Sequence, residues 1–135
     1  MKTRQSFIIL LLVICASLAV NSQSYNDFKR KHLAPAGMKE DDCTTLIVTE
    51  RKIKEKNQCK KINTFILETE DKIKGVCNTP ATDGKNHKGT GFTVINCTKI
   101  ENIIDCKYNG VKRTTDIILT CENRLPVHYG RSNNS

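Results

Sequence analysis

The apolar residues of this chain are concentrated first near its amino-terminal end, where the run Phe7–Val20 follows the cations Lys2 and Arg4. This run is shorter than the roughly 20 residues that a membrane-crossing helix needs, and polar sequence follows it. A cationic start, an apolar centre and small residues at the end are typical of a signal peptide. We therefore predict cleavage after Ser22, with Ser24 as the alternative boundary, and a secreted, extracellular protein.

Removal of residues 1–22 leaves residues 23–135, which suffice for one hydrophobic core and are too few for two. The removed segment carries two cations and no acidic residue, so the formal net charge of +8 becomes +6. Such a surface attracts polyanions, and RNA, heparan-type glycans and anionic bacterial surfaces are all candidates. Basic clusters lie at residues 29–31, 51–56 and 60–61, but charge alone does not select a partner.

Two short helices can be placed from local pattern. Phe28 and His32 lie four residues apart and therefore share one face of the first helix, which Ser24 can cap. The proline and glycine within residues 34–37 end that helix. A later helix is predicted over residues 70–74, immediately before a glycine.

The segment Thr44–Thr49 is ambiguous. Its β-branched residues favour a strand, whereas Asp41 or Asp42 can cap a helix at this point. Local propensity favours the strand.

Alternating or short apolar runs, separated by turn signals such as Asn109-Gly110, predict an antiparallel sheet. Residues 78–91 are polar, contain glycine and proline and lack periodicity, so we predict a surface loop there. The predicted strands are Thr64–Leu67, Phe92–Lys99, Ile103–Val111, Thr115–Glu122 and Pro126–Tyr129.

Six cysteines remain after Cys15 leaves with the signal peptide. An even number of cysteines in a small secreted chain without a CxxC pair favours disulfides over a zinc site. Six cysteines allow 15 pairings, and spacing does not select one.

Two histidines, His32 and His128, stand at opposite ends of the predicted domain, and Lys60 lies between them. Imidazoles titrate near neutral pH, so one can accept a proton while the other donates one. A lysine adds fixed positive charge. These groups suit the cleavage of a phosphodiester whose own 2'-hydroxyl is the nucleophile, as in RNA.

The segments Phe28–His32, Cys59–Phe65 and Pro126–Tyr129 resemble the three signature segments of the pancreatic-type ribonuclease superfamily, and six cysteines match its angiogenin-like branch. The resemblance covers nearly the whole mature chain. It implies an α+β fold with a curved antiparallel sheet and three short helices, including a helix where local propensity favours a strand. The implied disulfides are Cys43–Cys97, Cys59–Cys106 and Cys77–Cys121.

The resemblance also implies catalytic roles. His32 would be the general base on the 2'-hydroxyl, His128 the general acid on the departing 5'-oxygen, and Lys60 the stabiliser of the transition state. The product would be a 2',3'-cyclic phosphate. Lys61 is the competing lysine, and His87 matches no family motif and is expected on the surface.

The remaining matched positions would bind substrate. Asn63 would support the catalytic hydrogen bonds, and the hydroxyl of Thr64 would recognise a pyrimidine, because it can either donate or accept. Tyr129 would pack beside that base. Phe65 belongs to the same binding segment although it also suits the core, and Glu122 would contact the following base.

Three departures from the family pattern point to weak turnover and to little selectivity for the second base. Lys31 stands where the family commonly has glutamine and would contact phosphate through its charge. Gly130 stands where many members have an aspartate that orients the second histidine. The fourth family disulfide is also absent.

The sequence thus predicts a monomeric endoribonuclease that cleaves single-stranded RNA after pyrimidines without metal or cofactor, with an angiogenin-like or host-defence role. The alternatives are an extracellular signalling protein with a cell-surface receptor and a cationic antibacterial protein. Residues 51–56 also resemble a nuclear-targeting run, which would allow nuclear or nucleolar entry after uptake. Sequons begin at Asn96 and Asn133, and we expect neither to be glycosylated.

Overall fold

The computed structural model describes residues 24–132, so the predicted signal peptide, its cleavage boundary and Asn133 lie outside the described residues. Four antiparallel strands form the main sheet in the order β3-β4-β5-β6, and β1 and β2 form a separate hairpin. The strands are β1 Lys54–Glu55, β2 Gln58–Cys59, β3 Ile62–Ile66, β4 Asn86–Lys99, β5 Tyr108–Glu122 and β6 Leu125–Tyr129.

Within residues 24–132, three helical segments accompany the sheet, which confirms the α+β class. Helix α1 covers residues 24–32. The segment α2 begins as the 3-10 turn Glu40–Asp42 and ends as the π-helix Thr45–Glu50, and α3 is Glu70–Val76. Ser24, the predicted cap, is itself helical and belongs to α1. No helix within residues 24–132 is long and apolar enough to cross a membrane.

The helical conformation of α2 overrides the strand propensity of its β-branched residues. Leu46 and Ile47 are buried beside Phe65 and Ile95. Helical spacing directs these side chains toward the same face of the sheet, and burial of a large aliphatic side chain is worth about 1.5–3 kcal/mol. That gain exceeds the smaller propensity differences between residues.

Two strand predictions were wrong. The predicted loop at 78–91 ends early, since β4 begins at Asn86 and continues through a bulge between Gly89 and Phe92. The Asn109-Gly110 pair lies inside β5 and pairs with β4, so the hairpin turn comes earlier in the chain. A Cβ on Gly110 would lie 2.3 Å from the Glu40 carbonyl oxygen and 2.8 Å from Cys43 Sγ. Close packing therefore requires this glycine.

The three disulfides are those that the resemblance implied: Cys43–Cys97, Cys59–Cys106 and Cys77–Cys121. They join the second helical segment to β4, β2 to the turn before β5, and the end of α3 to β5. Each closes a loop of 44 to 54 residues. In the chain-entropy model a loop of this length stabilises the fold by about 4 kcal/mol.

The carboxyl end of α1 is held by side chains from elsewhere in the chain. Arg51 Nη1 donates to the carbonyls of Lys29 and Arg30 at 3.1 and 2.8 Å. In return, Arg30 Nη1 donates to the Arg51 carbonyl at 2.7 Å. A helix end leaves carbonyls without intrahelical partners, so these bonds fix where α1 rests. The position of His32, in the last turn of α1, follows from that contact.

Candidate active site

One open cleft of about 380 Å³ brings together residues from α1, the β1–β2 hairpin, β3 and β6. The sequence-predicted residues on its wall are Lys31, His32, Lys60, Asn63, Thr64, His128 and Tyr129. The wall also contains Phe28. Five further residues of the wall were not predicted as site residues: Asp27, Lys54, Glu55, Ile62 and Val127.

His32 is buried between two aromatic side chains. The residue is only 6% exposed, and its ring lies against the rings of Phe28 and Tyr129 with centroid separations of 5.2 Å in both cases. Nδ1 lies 2.8 Å from the carbonyl oxygen of Thr64. A carbonyl can only accept, so Nδ1 carries the proton and Nε2 has a free lone pair.

Burial is the main reason that the pKa of His32 falls to about 3. The hydrogen bond to Thr64 opposes this shift, while the charges of Lys60, Lys31 and His128 add to it. The ring is therefore unprotonated at neutral pH, which is the state that a general base requires.

Lys60 is oriented by Asn63. Its ammonium donates to Asn63 Oδ1 at 2.9 Å, and Asn63 Nδ2 donates to the carbonyl of Lys31 at 2.9 Å. Asn63 is 1% exposed, so its carboxamide has a fixed orientation. Burial, followed by the charge of Lys31, lowers the pKa of Lys60. One side chain thus connects the central cation to the last turn of α1.

Thr64 contacts Asn96, which the sequence analysis had considered only as the first residue of a glycosylation sequon. Thr64 Oγ1 donates to Asn96 Oδ1 at 2.8 Å, because the two residues are paired across β3 and β4. The bond leaves the lone pairs of the Thr64 hydroxyl available to a ligand. Only the strand register could have revealed this contact, and the sequence does not give that register.

His128 lies on β6, is exposed, and lines the same cleft as the residues of α1. Partial burial, followed by the charges of Lys60 and Lys31, lowers its pKa. The next residue but one, Gly130, has a φ of +104°, and a Cβ there would lie 3.9 Å from His128 Nε2. Within residues 24–132, no carboxylate hydrogen-bonds to the His128 ring.

A buried polar network lies beside His128 and was missed in the sequence. Thr120 pairs with His128 on one side and with Asn86 on the other. Thr120 Oγ1 lies 3.0 Å from both Asn86 Oδ1 and the Gly130 carbonyl, and Ser132 N donates to Asn86 Oδ1 at 3.0 Å. Asn86 is 0% exposed. These bonds fix the chain that follows His128.

Two predicted binding residues lie away from the cleft. Phe65 is 0% exposed and packs in the core beneath α2, so its assignment as a substrate-binding side chain is wrong. It follows Thr64 on β3, and alternation directs it to the opposite face of the sheet. Glu122 does not line the cleft and pairs with Lys85 at 3.4 Å.

The two competing residues are also outside the cleft. Lys61 is exposed and does not line the wall. His87 lies on β4, where we had predicted a loop, and its Nδ1 is 2.8 Å from the carbonyl of Thr79. Lys60, and not Lys61, therefore shares the cleft wall with His32 and His128.

The fold and the cleft define a small disulfide-bonded protein with two histidines and a lysine on the wall of one cleft. The sequence model of the pancreatic ribonuclease family matches residues 23–130. The chain belongs to that family.

Named relatives agree with this assignment. The chain is 31% identical to Ribonuclease-like 3 of Danio rerio, over 96% of both chains, and 29% identical to Ribonuclease 4 of Rattus norvegicus, over 94% of this chain and 96% of the relative. The X-ray structure of zebrafish RNase5 is similar with a TM-score of 0.74 and 30% identity, and covers 84% of this chain and 98% of that one.

Proposed function

We propose that this protein is a secreted endoribonuclease that cleaves single-stranded RNA on the 3' side of pyrimidines without a metal ion. The observation that carries the proposal is the placement of neutral His32, Lys60 and His128 around a single cleft. Family membership supports a ribonuclease activity. The position of each group supports a role in one transphosphorylation.

In the first step, His32 Nε2 removes the proton from the ribose 2'-hydroxyl while the 2'-oxygen forms a bond to phosphorus. His128 gives its proton to the 5'-oxygen as the bond from phosphorus to that oxygen breaks. The products are a 2',3'-cyclic phosphate and a free 5'-hydroxyl. In a slower second step, water attacks the cyclic phosphate and the histidines exchange roles.

Lys60 supplies charge where the phosphorane gains negative charge. Its ammonium is partly withdrawn from water and held by Asn63, so the charge is in place before the reaction begins. Preorganised charge of this kind contributes on the order of 3 kcal/mol to lowering the barrier. Lys31, on the same wall, adds to the field at the phosphate.

Pyrimidine preference is proposed from Thr64 and Tyr129. The Thr64 hydroxyl donates to Asn96 and can accept a hydrogen bond from the N3–H of uracil; if the Asn96 carboxamide turns over, Thr64 can instead donate to N3 of cytosine. The ring of Tyr129 stacks against His32 at the side of this position. A base bound in the cleft would therefore contact the Thr64 hydroxyl and the Tyr129 ring.

Weak turnover is part of the proposal. Near-neutral catalysis requires a protonated His128, yet burial and two lysines lower the pKa of this ring in the free protein. The family carboxylate that would oppose this effect is replaced by Gly130. A bound phosphate restores part of the lost proton affinity, because an opposite charge nearby favours the protonated ring.

An extracellular angiogenin-like or host-defence role is proposed from the signal peptide and the basic surface, with a monomer as the active form. Lys52, Lys54 and Lys56 are exposed around the β1–β2 hairpin and suit glycan or bacterial-surface binding. Arg51 does not, since its guanidinium bonds to the carbonyls of α1.

The enzyme proposal is tested with the oxidised mature protein and a cytidylyl-3',5'-adenosine substrate. We expect the cyclic phosphate as first product, activity that persists in EDTA, and a loss of about 10³-fold or more in His32→Ala and His128→Ala. His87→Ala is the matched control and should keep full activity. Undiminished activity in either cleft variant would refute the mechanism, and cleavage mainly after purines would refute the role of Thr64.

A further inference from the structure

The wall of the cleft carries a carboxylate among its cations. Asp27 lies one helical turn before Lys31 on α1. Its Oδ2 pairs with the Lys31 ammonium at 2.9 Å, and its Oδ1 accepts from Arg30 Nη2 at 2.6 Å. Both carboxylate oxygens are therefore used, and two cations beside the cleft already have an anion of the protein itself as partner.

Lys31 and Asp27 act on the catalytic centre with opposite sign. The charge of Lys31 helps to lower the pKa values of His32, Lys60 and His128. The charge of Asp27 instead raises the pKa of Lys60. Both residues are thus within electrostatic range of the position that a substrate phosphate would take.

We propose that Asp27 is a determinant of substrate affinity that competes with the RNA phosphate for Lys31. This inference rests on the proposed function, since it concerns phosphate groups in the same cleft. Carboxylate and phosphate oxygens bind an ammonium in the same manner, so the two anions compete for its donors. Asp27 takes one of the three donors of the Lys31 ammonium and offsets part of its charge, so a phosphate should bind Lys31 more tightly when the carboxylate is removed.

The position of the pair distinguishes it from an ordinary helix ion pair. Lys72 and Glu68 form a pair with the same four-residue spacing near α3, but neither lines the cleft. The Asp27–Lys31 pair instead occupies an ammonium on the cleft wall. Its main effect is therefore expected on ligand binding.

The test compares Asp27→Asn with Asp116→Asn. Both substitutions add one unit of net charge. Asp27→Asn breaks the pairs with Lys31 and Arg30, and Asp116→Asn breaks the pair with Lys88 at 3.4 Å outside the cleft. The probe is a labelled single-stranded DNA dodecamer, which lacks the 2'-hydroxyl and cannot be cleaved. Its Kd is measured over a series of NaCl concentrations.

We expect Asp27→Asn to lower the Kd by about 3-fold or more, the scale of one exposed ion pair. The slope of log Kd against log salt should become steeper by about 0.7, the value for one additional phosphate contact with a single strand. Asp116→Asn should change both quantities much less. Equal changes in the two variants would overturn the proposal.

A double-mutant cycle separates competition from a general effect of charge. In a Lys31→Gln background, Asp27→Asn should lower the Kd for DNA by less, because the Lys31 ammonium that the substitution would free is no longer present. An undiminished gain would overturn the proposal. If Asp27→Asn fails to fold, Asp27→Ser gives the same comparison, since serine is also compatible with the first turns of a helix.

RNA cleavage by the wild-type protein is measured in parallel. Tighter DNA binding by Asp27→Asn in a protein that does not cleave RNA would refute the enzyme proposal and leave the role of Asp27 standing. Cleavage without any change in DNA binding would refute only the role of Asp27.

Discussion

Asn63 links Lys60 to helix α1. Its Oδ1 accepts a hydrogen bond from the Lys60 ammonium at 2.9 Å, and its Nδ2 donates one to the carbonyl of Lys31 in the last turn of α1. The geometry of the cation and the geometry of the helix that carries His32 are therefore linked through one buried amide. A change at Asn63 acts on both sides of the cleft.

Asn63→Ala should reduce kcat by about 10²-fold, the cost of a displacement of about 1 Å in a catalytic group. The Lys31 carbonyl also loses a buried partner, which should lower the free energy of unfolding by about 1–3 kcal/mol. Steady-state kinetics and urea denaturation measure the two effects. Asn109→Ala, an exposed change on β5, is the control, and equal kcat values in the two variants would contradict the linkage.

The pH profile of kcat/KM should be displaced toward acid. The ascending limb requires deprotonation of His32, whose pKa is about 3, and the descending limb requires loss of the proton from His128, whose pKa is lowered by burial, Lys60 and Lys31. Both limbs move in the same direction, so the optimum lies below about pH 6.5, the ordinary pKa of histidine.

Lys31→Gln tests the cause of that displacement. Removal of a positive charge near His128 favours its protonated form, so the descending limb should move to higher pH. The partial burial of His128 is unchanged in this variant, so its pKa, and with it the descending limb, should stay below the ordinary value for histidine. Lys88→Gln changes net charge equally from outside the cleft, and a matching shift in that variant would contradict the local effect.

Thr120→Val should lower kcat by about 10-fold with little change in KM, because a small displacement of the acid affects the reaction more than binding. The isosteric change removes the hydroxyl that bonds to Asn86 and to the Gly130 carbonyl. Thr114→Val, on an exposed position of β5, is the control. A proportional fall in activity and in folded fraction, with unchanged kcat per folded molecule, would assign Thr120 to stability alone.

Arg51 and Lys52 should respond differently to the same loss of charge. Arg51→Gln removes bonds to two carbonyls of α1, and we expect the free energy of unfolding to fall by about 1–3 kcal/mol. Lys52→Gln should leave stability within about 0.5 kcal/mol. Lys52→Gln should elute from heparin earlier than Arg51→Gln does. Thermal denaturation distinguishes them, and equal stability would contradict the structural role of Arg51.

Much of the fold could be predicted because its signals are local or shared with a family. Phe28 and His32 lie on one helical face, as their spacing requires. The disulfide pairing came from the resemblance, since spacing left 15 possibilities. The α2 segment shows the limit of local propensity, because burial of Leu46 and Ile47 against the sheet decided its conformation.

Other parts of the site depended on distances that no sequence pattern provides. Thr64 contacts Asn96 only because of the register between β3 and β4. Asn86 lies near the residues after His128 because both are paired with β5, and a bulge interrupts each of these two strand pairings. Asp27 was overlooked because a carboxylate next to cations on a helix resembles an ordinary surface pair. Its importance depends on the position of the cleft.

The backbone at Gly130 limits how this protein could acquire a stronger acid. A φ of +104° suits glycine, and an L-aspartate there would have to change the backbone before its carboxylate could approach His128. That change would disturb the carbonyl that Thr120 contacts. The missing carboxylate can therefore not be restored by an exchange at residue 130 alone without moving the backbone that Thr120 and Asn86 hold in place.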